Sequence, residues 1–182
     1  MDNHTIFIII LIFGIIAEGF YYKKRELKRK EEAINIAVLA TLILSLFLCY
    51  LLKEQVSSTT NLVKTIGFFF LIHGLFIRFW TYQIIMAQSH HHSILPLPER
   101  PLYSHGPYRY HRHPFHTSIF IITLGCGLFI SNHWLAFPLV FLLLGSSLHT
   151  VMKQEELFLE KKYGEIYTYW CKRRFRFLPF FY

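Results

Sequence analysis

Five long apolar runs divide this chain, and no other feature limits its fold so strongly. The first is Thr5–Tyr22, TIFIIILIFGIIAEGFYY. The second covers about Ala33–Leu52 and the third about Leu62–Met86. The fourth and fifth are about Thr117–Ile130 and His133–Met152, joined only by Ser131, Asn132 and His133. About 20 apolar residues in a helix cross the roughly 30 Å of hydrocarbon in a bilayer. The first three runs meet that length alone. The last two are expected to form a tight helical hairpin, with one long re-entrant pair as the alternative. The expectation is an all-α, polytopic membrane helical bundle of about five transmembrane helices.

Composition agrees. Of 182 residues, 53% are hydrophobic and 16% charged, which excludes a disordered chain. A net charge of +8 could suggest nucleic acid. The basic residues, however, flank apolar runs, which is the membrane pattern. No nucleic-acid partner is expected; the lipid bilayer is.

The same residues orient the chain. The loop after the first run carries Lys23, Lys24, Arg25, Lys28, Arg29 and Lys30. The loop before the fourth run carries Arg100, Arg109 and Arg112, and the C-terminal region carries seven more. Alternate loops thus hold sixteen basic residues against two, Lys53 and Lys64, on the other side. Arg78, near the inner end of the third run, is expected to snorkel. The positive-inside rule puts the N-terminus outside and the C-terminus in the cytoplasm.

The first run is not expected to be a cleaved signal peptide, because its charges follow the apolar stretch and Tyr21–Tyr22 is no small-residue cleavage site. The ending LPFFY is not a lipidation box. Cys49, Cys126 and Cys171 are scattered, without a CxxC, so neither a disulfide framework nor a thiolate metal site is expected.

Polar chemistry gathers in three places on the basic side. GPYRYHRHPFH (106–116) packs two arginines and three histidines between apolar stretches. QEELFLEKKYG (154–164) follows the fifth run, and YWCKRRFRFLP (169–179) follows that. Pro107 and Pro114 fix φ, so an ordered turn should lead into the fourth helix. Glu155 and Glu156 should extend the fifth helix into water, with Gly164 placed to end it. Taken singly, each motif fits a solvated stalk. Together they put a carboxylate pair, an Arg-His-Pro turn and an arginine cluster at one end of a bundle. Ionisable groups at a membrane boundary mark functional sites. Such a mix suits a zwitterionic ligand: carboxylates for an ammonium, arginine for a carboxylate, and Tyr103, Tyr108 and Phe115 for an aromatic ring or a cation.

The order GPYRYHRHP, hairpin, EELFLEKKYGEIY, then a basic stretch ending in LP resembles the isoprenylcysteine carboxyl methyltransferases. Those belong with the phospholipid methyltransferases among integral-membrane methyltransferases. The resemblance covers about Arg78 to Pro179. It implies S-adenosyl-L-methionine bound at the cytoplasmic end of the bundle without a Rossmann domain, and no GxGxxG follows a strand here. Gly125-Cys126-Gly127 reads better as a close helix contact than as a nucleotide loop. The length fits a single domain over residues 1–182, read as an N-terminal helical hairpin (1–60), which matches the family only in hydropathy, and a catalytic core (61–182).

By position, the resemblance implies cofactor contacts at Arg100, Pro101, Leu102, Tyr103, Tyr108, His113, Pro114, Phe115, His116 and Glu155, with a polar position near Ser93. Arg112 corresponds to the arginine near the substrate carboxylate. There are departures. His116 stands where the pattern usually has Tyr, Ser118 where it often has Gly, and Trp170 where it has Tyr. Val151 stands where prenylcysteine enzymes have an arginine, with His149 nearby.

The implied reaction is transfer of a methyl group to a lipophilic or prenylated acceptor, first of all the carboxylate of a prenylated cysteine. Such a carboxylate is already ionised and needs no base. Arg112 and Arg173 would hold it, beside Glu156. An amine or hydroxyl acceptor would need a base, with Glu156, His116 or His149 as candidates. Phospholipid or other lipid methylation is the alternative acceptor reading. An NADPH-dependent sterol-type membrane reductase and a non-enzymatic transporter or assembly factor are the other classes. The histidines of this loop permit a metal reading, but without HExxH or CxxC no metal is expected.

The orientation can be checked directly. In single-cysteine variants across Lys23–Lys30, an impermeant thiol reagent should label only after the membrane is opened. Labelling in intact cells would reverse the topology.

Overall fold

A computed structural model describes residues 29–55, 61–92 and 102–177, of which 29–35, 54–55 and 88–92 are described by their backbone. The first apolar run, Ser93, Arg100, Pro101 and Pro179 lie outside the described residues. Helix α1 is Arg29–Gln55 and α2 is Asn61–His92. A 3-10 turn, Gly106–Arg109, leads to α3, Pro114–Ser131. Helix α4 runs Ala136–Tyr163 with a π turn at Phe141–Gly145, and α5 is Glu165–Cys171. Among the described residues the only β pairing is an isolated parallel bridge between His111 and Phe175. The fold is the expected all-α bundle.

Four described helices are long and apolar enough to cross a membrane: Ile36–Lys53, Asn61–Ala87, Pro114–Ser131 and Ala136–Tyr163. Pro114 starts α3 where its missing N–H costs nothing. Asn132 ends it in the left-handed region, φ 49°, with its N–H on the Leu128 carbonyl. The His133 N–H then donates to Ser131 Oγ, and the Leu135 N–H to His133 Nδ1. These bonds close the expected hairpin. Gly164, at φ +57°, ends α4 and donates to the Glu160 carbonyl.

Helix α3 is the centre. Its window is 78% buried, against 22–33% for the other three. It packs on α2 most extensively, then on α1 and α4. The α2 contact depends on glycine. A Cβ on Gly125 would meet Leu71 N at 2.5 Å and Gly67 O at 2.7 Å. One on Gly67 would meet Phe129 N at 2.7 Å. Close backbone approach of this kind drives helix association in lipid, where apolar burial contributes little. The glycines of Gly125-Cys126-Gly127 are therefore helix contacts, as expected.

On α4, Ala136, Val140, Leu144, Leu148 and Met152 are all buried. A stripe repeating every four residues would drift around an α-helix of 3.6 residues per turn. The wider π turn offsets that drift and keeps the stripe buried, first against α3 and then against α1. Three and four residues past Met152, Glu155 and Glu156 continue the stripe on either side. That is how two charged side chains come to face the start of α3. Large apolar side chains such as Phe47, Phe69, Phe76, Phe79 and Leu142 point outward, as suits lipid.

Gly125→Ala should destabilise the bundle by about 1–3 kcal/mol, the usual range for overpacking. Thermal unfolding in detergent reads this as a lowered midpoint. An unchanged midpoint would show that the α2–α3 approach is not tight.

Candidate functional site

The site lies where the turn before α3, the last third of α4 and the extended tail after α5 meet. The tail is tied down by backbone. Arg112 N–H donates to the Phe175 carbonyl at 2.8 Å, and Phe175 N–H to the Tyr110 carbonyl at 2.9 Å. Thr117 Oγ1 donates to the Phe177 carbonyl, and the Phe177 ring packs on Phe120, centroids 4.9 Å apart. Arg174 donates to the carbonyls of Tyr108 (2.7 Å) and Trp170 (2.6 Å). Trp170 Nε1 donates to the Tyr103 carbonyl at 3.0 Å. His111 Nδ1 sits 3.3 Å from the Phe177 carbonyl, and burial lowers its pKa.

His113 is the hub, with its side chain 5% exposed. Its Nδ1 faces Glu155 Oε2 at 3.1 Å and its Nε2 faces Glu156 Oε1 at 3.3 Å. Burial works against a charge there. The hydrogen bonds and charges of the two carboxylates outweigh it and raise the His113 pKa above 6.5. With a carboxylate on each nitrogen, the ring in its protonated form donates at both. His116 Nε2 stands 3.7 Å from Glu155 Oε1. Glu156 is held further by Arg176 Nη2 at 2.7 Å and Arg112 Nη1 at 3.3 Å.

The structure thus brings together Arg112, His113, His116, Glu155 and Glu156, from segments about forty residues apart. Pro114 begins α3 beside them. The Phe115 ring lies under the Arg78 guanidinium, 4.1 Å from its centroid. Arg78 is buried there, with Nη1 3.5 Å from Ser118 Oγ, rather than snorkelling. Tyr103 and Tyr108 stack, centroids 5.1 Å apart, and join the cluster through Trp170 and Arg174. Leu102 is half-buried in the same segment. His149 is exposed, two turns before Glu156 on α4.

Two arginines differ from expectation. Arg173 is exposed and lies over the Tyr169 ring at 5.3 Å; the tail cation on Glu156 is Arg176. Arg112 is already committed: besides Glu156, its Nε donates to the Arg174 carbonyl and its Nη2 to the Cys171 carbonyl. It positions Glu156 and caps the end of α5. Sequence reasoning missed Arg176. It is one of four cations in five positions, and which one turns inward is set by the Phe175–Tyr110 pairing.

A cleft of about 440 Å³ adjoins the cluster, lined by Arg112, Lys153, Glu156, Leu157, Glu160 and Arg176. Four of the six are one face of α4, at i, i+3, i+4 and i+7. Three cations and two carboxylates make it a polar cleft at the end of an apolar bundle. Among the described residues, His113, His116 and Glu155 are also the one group of donor atoms close enough to share a metal ion.

The charge on His113 has a pH signature. Its folded pKa lies above the unfolded value, so its contribution is full below about pH 6.5 and is lost as pH rises through the folded pKa. The midpoint difference between wild type and His113→Gln should therefore shrink with rising pH. A difference that widened would mean a neutral His113.

Residues 62–166, more than half of the chain, match a family model described as phospholipid methyltransferase. The match starts in α2 and ends in α5. No curated protein and no solved structure matches the chain.

Proposed function

Since the chain belongs to the phospholipid methyltransferase family, we propose that it transfers a methyl group from S-adenosylmethionine to a lipophilic acceptor at the basic end of the bundle. The family makes it a multi-pass membrane methyltransferase for lipid-type acceptors, and such enzymes generally use S-adenosylmethionine. The observation that carries the reading is His113 bridging Glu155 and Glu156. It joins the two motifs that the resemblance treats as one site. The outside N-terminus and cytoplasmic C-terminus expected from charge belong to the same proposal.

The residues fit this cofactor's groups. Glu155, 46% exposed, offers a carboxylate to an ammonium or to ribose hydroxyls. The stacked Tyr103 and Tyr108 and the Phe115 ring offer π faces to an adenine or a cation. Leu102, His113, Pro114 and His116 complete the described part of the set, and Arg100 and Pro101 are assigned by position. When bound, the cofactor supplies an electrophilic methyl group on a sulfonium.

The protein's share is alignment and exclusion of water, and alignment alone contributes on the order of 7–11 kcal/mol. Arg112 and Arg176 clamp Glu156, Glu156 fixes His113, and His113 sets Glu155. The acceptor reading is the carboxylate of a prenylated cysteine, lying in the cleft near Lys153 and Arg176 with its tail among the helices. It needs no base. Arg112 then acts mainly by positioning Glu156, and Arg173 remains a candidate only for an approaching anion. A second reading, a phospholipid amine, is favoured by the family description and by Glu160 in the same cleft. Glu156 would then take the proton.

Glu155→Gln should weaken S-adenosylmethionine binding about 10- to 150-fold, as expected for a charged hydrogen bond of roughly 1.5–3 kcal/mol. Calorimetry giving wild-type affinity would leave Glu155 as a solvated helix extension. For the acceptor, N-acetyl-farnesylcysteine and phosphatidylethanolamine compete in detergent micelles with labelled cofactor. Label in the carboxyl ester is expected; label in the amine lipid alone would eliminate the prenylcysteine reading.

A further inference from the structure

We infer that His113, His116 and Glu155 form a binding site for a divalent transition metal of the zinc class. The inference goes beyond the methyl-transfer reading, which requires no metal, although it uses side chains which that reading gives to the cofactor.

The first support is geometric. One donor atom from each of the three residues lies within 4.8 Å of the others. His113 Nδ1 is 3.1 Å from Glu155 Oε2, and His116 Nε2 is 3.7 Å from Glu155 Oε1. Ligands at about 2.0–2.2 Å from a tetrahedral zinc ion stand roughly 3.3–3.6 Å from each other. Small side-chain shifts bring the trio to that spacing. Two histidines and a glutamate with a fourth position open is a donor set of open zinc sites. Imidazole and carboxylate donors suit zinc, nickel and copper better than calcium.

The second support is the shell behind the ligands. A ligating histidine characteristically donates its other nitrogen to a carboxylate, which fixes the ring. His113 does so: Nε2 meets Glu156 Oε1 at 3.3 Å, and Glu156 is anchored by Arg176 at 2.7 Å and Arg112 at 3.3 Å. These two cations outweigh the single charge of Glu156 and leave a net positive charge behind the trio, so the negative charge facing the ion is that of Glu155 alone. Arg78, stacked on Phe115, opposes binding together with the excess charge of that arginine pair.

His113 caps α3, and His116 lies three residues on in its first turn. Their pairs with Glu155 and Glu156 hold both against α4. Exposure rises from 5% at His113 to 15% at His116 and 46% at Glu155, which leaves a path for an ion. A metal on Nδ1 replaces the His113 proton, so binding releases a proton and weakens in acid. His116 stands where the related pattern carries Tyr, so the third ligand belongs to this chain's own sequence.

The test uses full-length, untagged protein in detergent, stripped with a chelator and titrated calorimetrically with zinc chloride without cofactor. About one zinc per chain is expected, with cobalt(II) giving the intense visible bands of a low-coordinate site. His116→Tyr and His116→Asn should each weaken zinc about 10-fold or more. A variant with His90, His91 and His92 all changed to Ala should bind as wild type. Equal affinity in wild type and both His116 variants would overturn the site. So would loss of zinc from the His90–His92 variant. S-adenosylmethionine added afterwards should compete with zinc. If the cofactor does not bind at all, the methyltransferase reading fails while the zinc result stands on the first titration.

Discussion

One buried histidine organises this end of the molecule. His113 stands between two carboxylates of α4. A pair of adjacent glutamates at a membrane boundary would repel each other and resist burial. An imidazole between them, its pKa raised by both carboxylates, turns that repulsion into cross-linking of α3 and α4. Arg112 and Arg176 complete the balance on Glu156. The arrangement leaves Glu155, the more exposed carboxylate, as the group that can meet a ligand.

The tail matters for the same reason. Its cations look like a solvated membrane anchor, but its backbone does as much as its charge. Phe175 pairs with Tyr110 and Arg112, and Phe177 reaches Thr117 and Phe120. Arg174 spends its guanidinium on the Tyr108 and Trp170 carbonyls. This stitching carries Arg176 to Glu156 and leaves Arg173 on Tyr169. The end of the bundle is therefore a preorganised polar cap, and its cleft opens beside the helix face that carries Lys153, Glu156 and Glu160. Under the proposed function, a lipid-type acceptor presents its polar head there while its tail stays among apolar helices.

Much was legible in the residues. Apolar run length located the described spanning helices, and Pro114, Asn132 and Gly164 mark boundaries whose backbone geometry demands such residues. The turn and the acidic pair stood out because charge beside a membrane is costly. Their union was legible only through resemblance, since nothing in local spacing brings residue 113 to residues 155 and 156. The glycine contact of α2 with α3 was readable as small residues in a helix, but its partner Gly67 was not.

The sequence by itself determined which segments are helical and which end of the bundle carries the ionisable groups, because hydropathy and charge act locally on each run. Tertiary structure alone decided how those groups are paired. Arg176 rather than Arg173 meets Glu156, Arg112 is consumed by carbonyls, and His113 takes both carboxylates. Those choices depend on the π turn that keeps α4 in register and on the backbone pairing of the tail. The tail pairing sets the direction of Arg176 through contacts with the distant Tyr110 and Arg112, and the π turn sets that of Glu155 and Glu156 from earlier in the same helix; no local residue pattern records either.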